Sequence, residues 1–181
     1  MSNFVFVVHK HRATSLHYDF RLEIGGVLAS WAIPRGPTLD AKQKRLAMKV
    51  NDHPLSYRHF EGVIAEGKFG AGPVMIWDEG NYIAEREISK GVREQVKDRQ
   101  LAEKTMTEGL VKGEIKFLLS GKKLKGSFAL VKTRGFPPGR SENAWLLIKH
   151  SDKYCKDGYD AANYDFSAKS KKTLEEINMR D

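Results

Sequence analysis

Nine consecutive residues, Leu16-His17-Tyr18-Asp19-Phe20-Arg21-Leu22-Glu23-Ile24, hold the densest potential for chemistry in the chain. Apolar and polar positions alternate strictly, and side chains along a strand point to opposite faces in turn. His17, Asp19, Arg21 and Glu23 therefore share one face, and Leu16, Tyr18, Phe20, Leu22 and Ile24 the other. Taken alone, this is the pattern of a half-buried strand whose charged face lies in water. His11 stands just upstream, near enough for the chain to fold back and bring it to His17 and Asp19. Two imidazoles and a carboxylate suit a divalent transition metal that keeps positions open for water and substrate. Arg21, two positions beyond Asp19, points along the same face. A guanidinium is shaped to grip a phosphate through paired hydrogen bonds. His53 lies in Asp52-His53-Pro54-Leu55-Ser56-Tyr57, a proline-containing turn with Tyr57 close behind.

A second chemistry uses the same letters. His17-x-Asp19 with a distal His53 has the residue types of the facial triad of non-haem iron oxygenases. His53 follows Asp19 by only 34 residues, close for that architecture, and Arg21 favours a phosphorylated substrate over an oxoacid.

These side chains need a frame. The chain has 181 residues, the length of one domain, and 40% of them are hydrophobic, enough for a core. No run approaches the roughly 20 apolar residues of a membrane helix, and the first residues lack a signal-peptide cleavage pattern. A single cysteine, Cys155, excludes an internal disulfide and a Cys-rich zinc site. A cytoplasmic, nucleoid-associated protein without a membrane partner is expected. With 31 Lys and Arg against 23 Asp and Glu, the net charge of +8 points to nucleic acid or another polyanion.

Strands are expected at Phe4–His9, Leu16–Ile24, Val27–Ile33, Arg45–Val50, Val74–Trp77, Glu114–Leu119, Leu124–Val131 and Trp145–Lys149. Turns are expected at Gly25-Gly26, Asn51–Pro54, Asp78–Gly80 and Ser120–Lys123. The charged, proline-free stretch from Ile88 predicts a helix at Lys90–Glu108, a solvated cover over one end of a barrel. The fold expected is mainly β, a small antiparallel β-barrel with one inserted helix and short peripheral helices. Residues 1–155 form the barrel domain in this reading. Residues 156–181 are a polar tail with a short helix at Thr173–Asn178. Nothing resembles a heptad seam, so a monomer is expected.

HKHRATSLHYDFRLEIGGVLASWAIPRGPTLD, RLAMKVNDHPLSYRHFEGVIAEGKFGAG and VMIWDEGNY together resemble the 3′-phosphoesterase module of bacterial DNA ligase D and its free-standing bacterial and archaeal versions. The match is dense over Phe4–Tyr82 and resumes at FLLSGKKLKGSFALVKT and WLLIKHSDKYC. HYDFRLE and DHPLSY, in order, are its specific pieces. The resemblance implies a β-barrel with a polar active-site interior and a manganese-dependent repair enzyme, other divalent transition metals being alternatives. Such enzymes act on the 3′ end of a DNA primer strand. A diesterase step removes a terminal ribonucleoside and leaves a 3′-phosphate; a monoesterase step then yields a 3′-OH. By motif position the metal ligands would be His11, His17 and Asp19. Arg21, His53 and Tyr57 would be the catalytic residues at the scissile phosphate, with Arg35 and Arg45 as further basic phosphate contacts.

The physical roles agree. Arg21 would stabilise charge on the non-bridging oxygens, and His53, an imidazole titrating near neutrality, could protonate the leaving oxygen. Arg35 and Arg45 read equally as surface charge. His9, His59 and His150 read as ordinary histidines, with His9 alone on the face shared by His11. The basic residues at Lys122–Lys125 and Lys149 would track duplex backbone or keep the protein soluble. Family members often carry an N-terminal arm before the first strand, whereas Met1 stands almost on it here. Arg35 stands where lysine is common, and the charged stretch Glu85–Thr107 is longer than the usual connection. A stand-alone end-processing enzyme or an excised piece is expected, working beside separate ligase and polymerase proteins. The competing reading from another class is a basic β-barrel that binds DNA ends without chemistry.

Overall fold

The alternating segments fold as strands that close on themselves. The computed structural model describes residues 4–135, 137–139 and 142–179. In chain order the strands are β1 (Phe4–Arg12), β2 (Leu16–Ile24), β3 (Val27–Ile33), β4 (Arg45–Pro54), β5 (Gly62–Ile64), β6 (Gly72–Ser89), β7 (Val92–Val96), β8 (Glu114–Gly121), β9 (Lys125–Lys132) and β10 (Ala144–Lys149). The helices are α1 (Arg99–Lys112) and α2 (Leu174–Asn178), with 3-10 turns at Leu55–His59 and Ala161–Tyr164. The sheet runs β1-β2-β3-β4-β10-β9-β8-β6, and β6 pairs back to β1, so eight antiparallel strands form a closed barrel; β5 and β7 attach to β6. The expected barrel is present. Its interior is apolar rather than polar. One cluster draws side chains from all eight ring strands, among them Phe6, Phe20, Trp31, Ala47, Trp77, Phe117, Phe128 and Trp145. The polar face of β2 therefore lies on the outside of the wall.

That face is not solvated. Asp19, Arg21 and Glu23 are all buried: Tyr57 of the turn Leu55–His59 lies against Arg21, His11 and His17 flank Asp19, and Val5 and Arg99 hold Glu23. α1 adds Ala102 and Met106 to the core, and α2 adds Leu174 and Ile177. Residues of the polar tail, Tyr159 and Ala161, enter the same core. α1 meets the Gly25-Gly26 end of the barrel, where Arg99 pairs with Glu23 at 3.2 Å, and α2 the other end, where Glu175 pairs with Arg12 at 2.5 Å.

Four expectations are corrected. First, β4 continues through Asn51–Pro54, which is no turn: His53 pairs with Leu28 and Pro54 with Val27 across a bulge. Proline at a strand terminus costs little ladder bonding. Second, Asp78–Gly80 lies inside the long β6. The Asp78 carboxylate, fully buried, accepts the backbone N–H groups of Lys122, Lys123 and Leu124 at 2.8–3.0 Å instead of closing its own turn. Third, residues 84–96 form a hairpin, and the helix starts at Arg99 with Asp98 as its N-cap. Opposite charges face each other across that hairpin, Arg86 to Glu94 and Glu87 to Arg93. Such cross-strand pairs serve a strand as well as i,i+4 pairs serve a helix, so composition alone favoured the wrong element. Fourth, Lys149 is buried, 2.7 Å from Asp152 and above the Phe128 ring. It belongs to the protein's internal packing and not to a DNA-tracking surface.

Candidate metal and phosphate site

Register places the site. β1 and β2 pair so that His11 faces His17 and His9 faces Asp19. A two-residue Gly25-Gly26 turn, both at positive φ, locks β2 to β3 with Arg21 opposite Ser30. The β3–β4 pairing brings His53 beside this row. His9, His11, His17, Asp19, Arg21, Ser30 and His53 thus collect on one patch of the outer wall.

His11, His17 and Asp19 are, among the described residues, the group that could hold a metal ion, with candidate ligand atoms all within 4.8 Å of one another. The two imidazole rings meet edge to face at 5.0 Å. His11 Nε2–H donates to the Gly70 carbonyl at 2.7 Å, which leaves Nδ1 on the side of Asp19, 3.8 Å from Oδ2. His17 Nδ1–H donates to the Ser15 carbonyl at 3.1 Å, leaving Nε2 3.2 Å from the same oxygen. Each ring spends one nitrogen on a carbonyl and turns the other toward Asp19. That is the arrangement by which backbone partners orient metal-binding histidines, so the residues fit a divalent cation. Burial would raise the Asp19 pKa, but the hydrogen bonds from His11 and His17 and the charge of Arg21 hold it well below the usual carboxylate range. The bond to Asp19, against the effect of burial, raises the His17 pKa. The alternative triad of His17, Asp19 and His53 is not assembled: the third member is His11, and His53 faces Arg21.

Arg21 is held from several sides. Its Nε–H donates to His9 Nδ1 at 3.0 Å, and Nη1 donates to Ser30 Oγ at 2.9 Å and stands 3.0 Å from His53 Nδ1. Nη2 lies 3.4 Å from Asp19 Oδ2. His53 Nδ1 is also 3.1 Å from the Asn51 carbonyl, which can only accept from it, so Arg21 is held by His9 and Ser30 while its other hydrogens face His53 and Asp19. The paired phosphate grip expected from the sequence would draw on the Nη1 and Nη2 hydrogens that face His53 and Asp19. The guanidinium also lies over the Tyr57 ring at 5.1 Å. Tyr57 in turn packs against His53 at 4.9 Å and stacks on Phe60 at 5.3 Å. Burial first, then Arg21, lowers the His53 pKa, and burial raises that of Tyr57.

His9 has a larger part than its sequence context showed. It is fully buried, accepts from Arg21 and donates Nε2–H to the Phe60 carbonyl at 3.1 Å. Burial, and then the charge of Arg21, press its pKa down to about 3. Ser30 and the Gly70 and Ser15 carbonyls were likewise missed. The hairpin register pointed to Ser30; nothing local pointed to the carbonyls. His59 accepts from Arg58 on the surface, and His150 bonds Ser127 at 2.7 Å; neither joins the site.

Arg35 and Arg45 stand apart. They line a cavity of about 300 Å³ with Gln43, Gly158, Tyr159 and Asp160. Arg45 is buried, bonded to the Gly36 carbonyl at 3.2 Å and Gln43 Oε1 at 2.8 Å. Among the described residues no hydrogen bond or ion pair links either arginine to the His11–His17–Asp19 group.

Known proteins resemble this chain over most of its length. The multifunctional non-homologous end joining protein LigD of Pseudomonas aeruginosa is 43% identical over 149 residues, which cover 81% of this chain and 15% of that protein. The LigD of Mycolicibacterium smegmatis is 37% identical over 152 residues, covering 84% of this chain and 18% of its own length. The Mycobacterium tuberculosis non-homologous end joining DNA repair protein LigD is 38% identical over 130 residues, 72% of this chain and 15% of that protein. The chain thus spans under a fifth of the length of the relatives it matches. The family described as the DNA Ligase D 3′-phosphoesterase domain matches residues 9–132, from the first histidine of the site through the last residue of β9. The chain belongs to the DNA ligase D 3′-phosphoesterase domain family.

Proposed function

We propose that the protein is a metal-dependent hydrolase that heals DNA 3′ ends. It removes a 3′-terminal ribonucleoside as a phosphodiesterase and then the remaining 3′-phosphate as a phosphomonoesterase, leaving a 3′-OH for separate polymerase and ligase proteins. The observation that carries the reading is the pair of histidines, each held by a backbone carbonyl so that its second nitrogen turns toward Asp19. A pure DNA-binding barrel has no use for that arrangement.

His11 through Nδ1, His17 through Nε2 and Asp19 would hold the cation, with manganese the metal expected. Bound there, it supplies charge neutralisation at a phosphate oxygen and acidifies a water ligand. Arg21 presents its Nη2 side to a non-bridging oxygen beside Asp19, its guanidinium already oriented by His9 and Ser30 as charge develops. His53, half-buried and next to the guanidinium, is the group placed to hydrogen-bond the phosphate and pass a proton to the leaving oxygen. Tyr57 holds the His53 ring and the guanidinium by their faces. Arg35 and Arg45, in their own cavity, would contact phosphate remote from the scissile one.

The test uses a primer-template ending in one 3′ ribonucleotide, with manganese, and follows product ends by gel. Wild type converts the end to 3′-phosphate and then 3′-OH, and His17→Ala does neither. No conversion by wild type, or equal conversion by His17→Ala, refutes the assignment.

A further inference from the structure

Phe69 is fully exposed in a protein whose other phenylalanines are, for the most part, in the core. Its loop, residues 65–71, is built rather than slack. Lys68 N–H bonds the Ala65 carbonyl at 3.2 Å and Ala71 N–H the Lys68 carbonyl at 3.1 Å, two consecutive tight turns. The loop is fastened to the metal group at its far side, where the Gly70 carbonyl holds His11 Nε2 at 2.7 Å. Gly72, at φ +133, lies so close to β1 that a Cβ there would stand 2.0 Å from the Arg12 carbonyl oxygen. Phe69 is thus one residue, about 3.8 Å of chain, from the carbonyl that orients a metal-site histidine, yet its ring touches no core. Leaving such a ring in water forgoes burial free energy that a ligand could recover.

Resting on the reading of the site as a 3′-end phosphoesterase, we infer that Phe69 is the stacking platform for the 3′-terminal nucleobase, the base of the leaving nucleoside. Interior bases of a primer are covered on both faces by their neighbours. Only the terminal base has an uncovered π-face, and a solvent-exposed phenyl ring on the loop that holds His11 is a complementary surface. Stacking of this kind is tolerant of base identity, because every base has such a face. Lys68, exposed beside it, supplies a cation for the adjoining backbone. Phe69 would be a positioning residue that sets the terminal phosphate against Asp19 and Arg21. It would also make the enzyme prefer ends that carry a base.

The experiment compares wild type, Phe69→Ala and Phe69→Trp with manganese on two primer-templates, one ending in a ribonucleoside and one in an abasic ribose. Phe69→Ala should lower kcat/KM on the base-bearing end by roughly 5- to 150-fold, leave the abasic end unchanged, and be rescued by Phe69→Trp. In parallel, 2-aminopurine at the terminal position should be quenched on binding by wild type and Phe69→Trp but not by Phe69→Ala. Equal rates for wild type and Phe69→Ala on the base-bearing end overturn the inference, as do equal losses on both ends. Quenching confined to a penultimate 2-aminopurine also overturns it. Failure of wild type to process either end removes the phosphoesterase reading, and this inference with it, whereas an active wild type with an unaffected Phe69→Ala removes only the inference.

Discussion

His9→Gln tests whether the neutral histidine behind Arg21 is what the geometry requires. In the folded protein His9 is sealed between Arg21 and Phe60, and its pKa is pressed to about 3, against 6.5 when free. Above pH 6.5 it is neutral in both states and makes no pH-dependent contribution. Below 6.5 the unfolded chain takes up a proton that the folded protein refuses, so stability falls as pH falls until about pH 3, where both states are protonated. One proton corresponds to about 1.4 kcal/mol per pH unit. Between pH 7.5 and 4.5 His9 should therefore cost the wild type on the order of 3 kcal/mol. Glutamine accepts from Arg21 with its oxygen and donates to Phe60 with its amide, but cannot titrate. Urea unfolding in a chelating buffer, from pH 7.5 to 4.5, should show His9→Gln losing less stability than wild type by about that amount. The neighbouring charged groups are common to both proteins and cancel. Parallel curves would show that His9 accepts a proton in the folded state, and the assignment of a neutral acceptor behind Arg21 would be wrong.

Other outcomes can be checked alongside. Gly72→Ala places a Cβ against the Arg12 carbonyl at a backbone angle alanine disfavours; a loss of about 3 kcal/mol or more is expected in urea unfolding, and under 1 kcal/mol would refute the contact. Asp78→Ala strips three buried N–H groups of their acceptor and should cost about 2–5 kcal/mol; an unchanged unfolding midpoint would contradict it. By electron paramagnetic resonance of added manganese, Asp19→Ala should lose the bound ion while Arg45→Ala retains it. Loss in Arg45→Ala at unchanged fold would mean that its cavity and the metal group are one site.

Much of this protein was legible before any fold was known, and the reason is periodicity. Strict alternation in β2 placed His17, Asp19 and Arg21 on one face, and a two-residue glycine turn set the β2–β3 register, which implies Ser30 opposite Arg21. The hairpin at residues 84–96 was not legible, because alternating charges satisfy a helix and a strand equally well. Nor was the continuation of β4 to His53, where turn-forming residues are held extended by pairing with β3. Local sequence also misjudged solvation. The charged face of β2 reads as a surface, and only the closure of eight strands around an apolar interior, with the segment at Leu55–His59 laid over the outer wall, buries it. The residue types for a metal and a phosphate were thus set by the sequence alone. Which nitrogen of each histidine turns toward Asp19, how His9 and Ser30 hold Arg21, and that Arg45 lines a different cavity were decided by tertiary structure. Those properties depend on carbonyls and side chains distant in the chain, such as Gly70 against His11 and His53 against Arg21, and no local pattern encodes such a pairing.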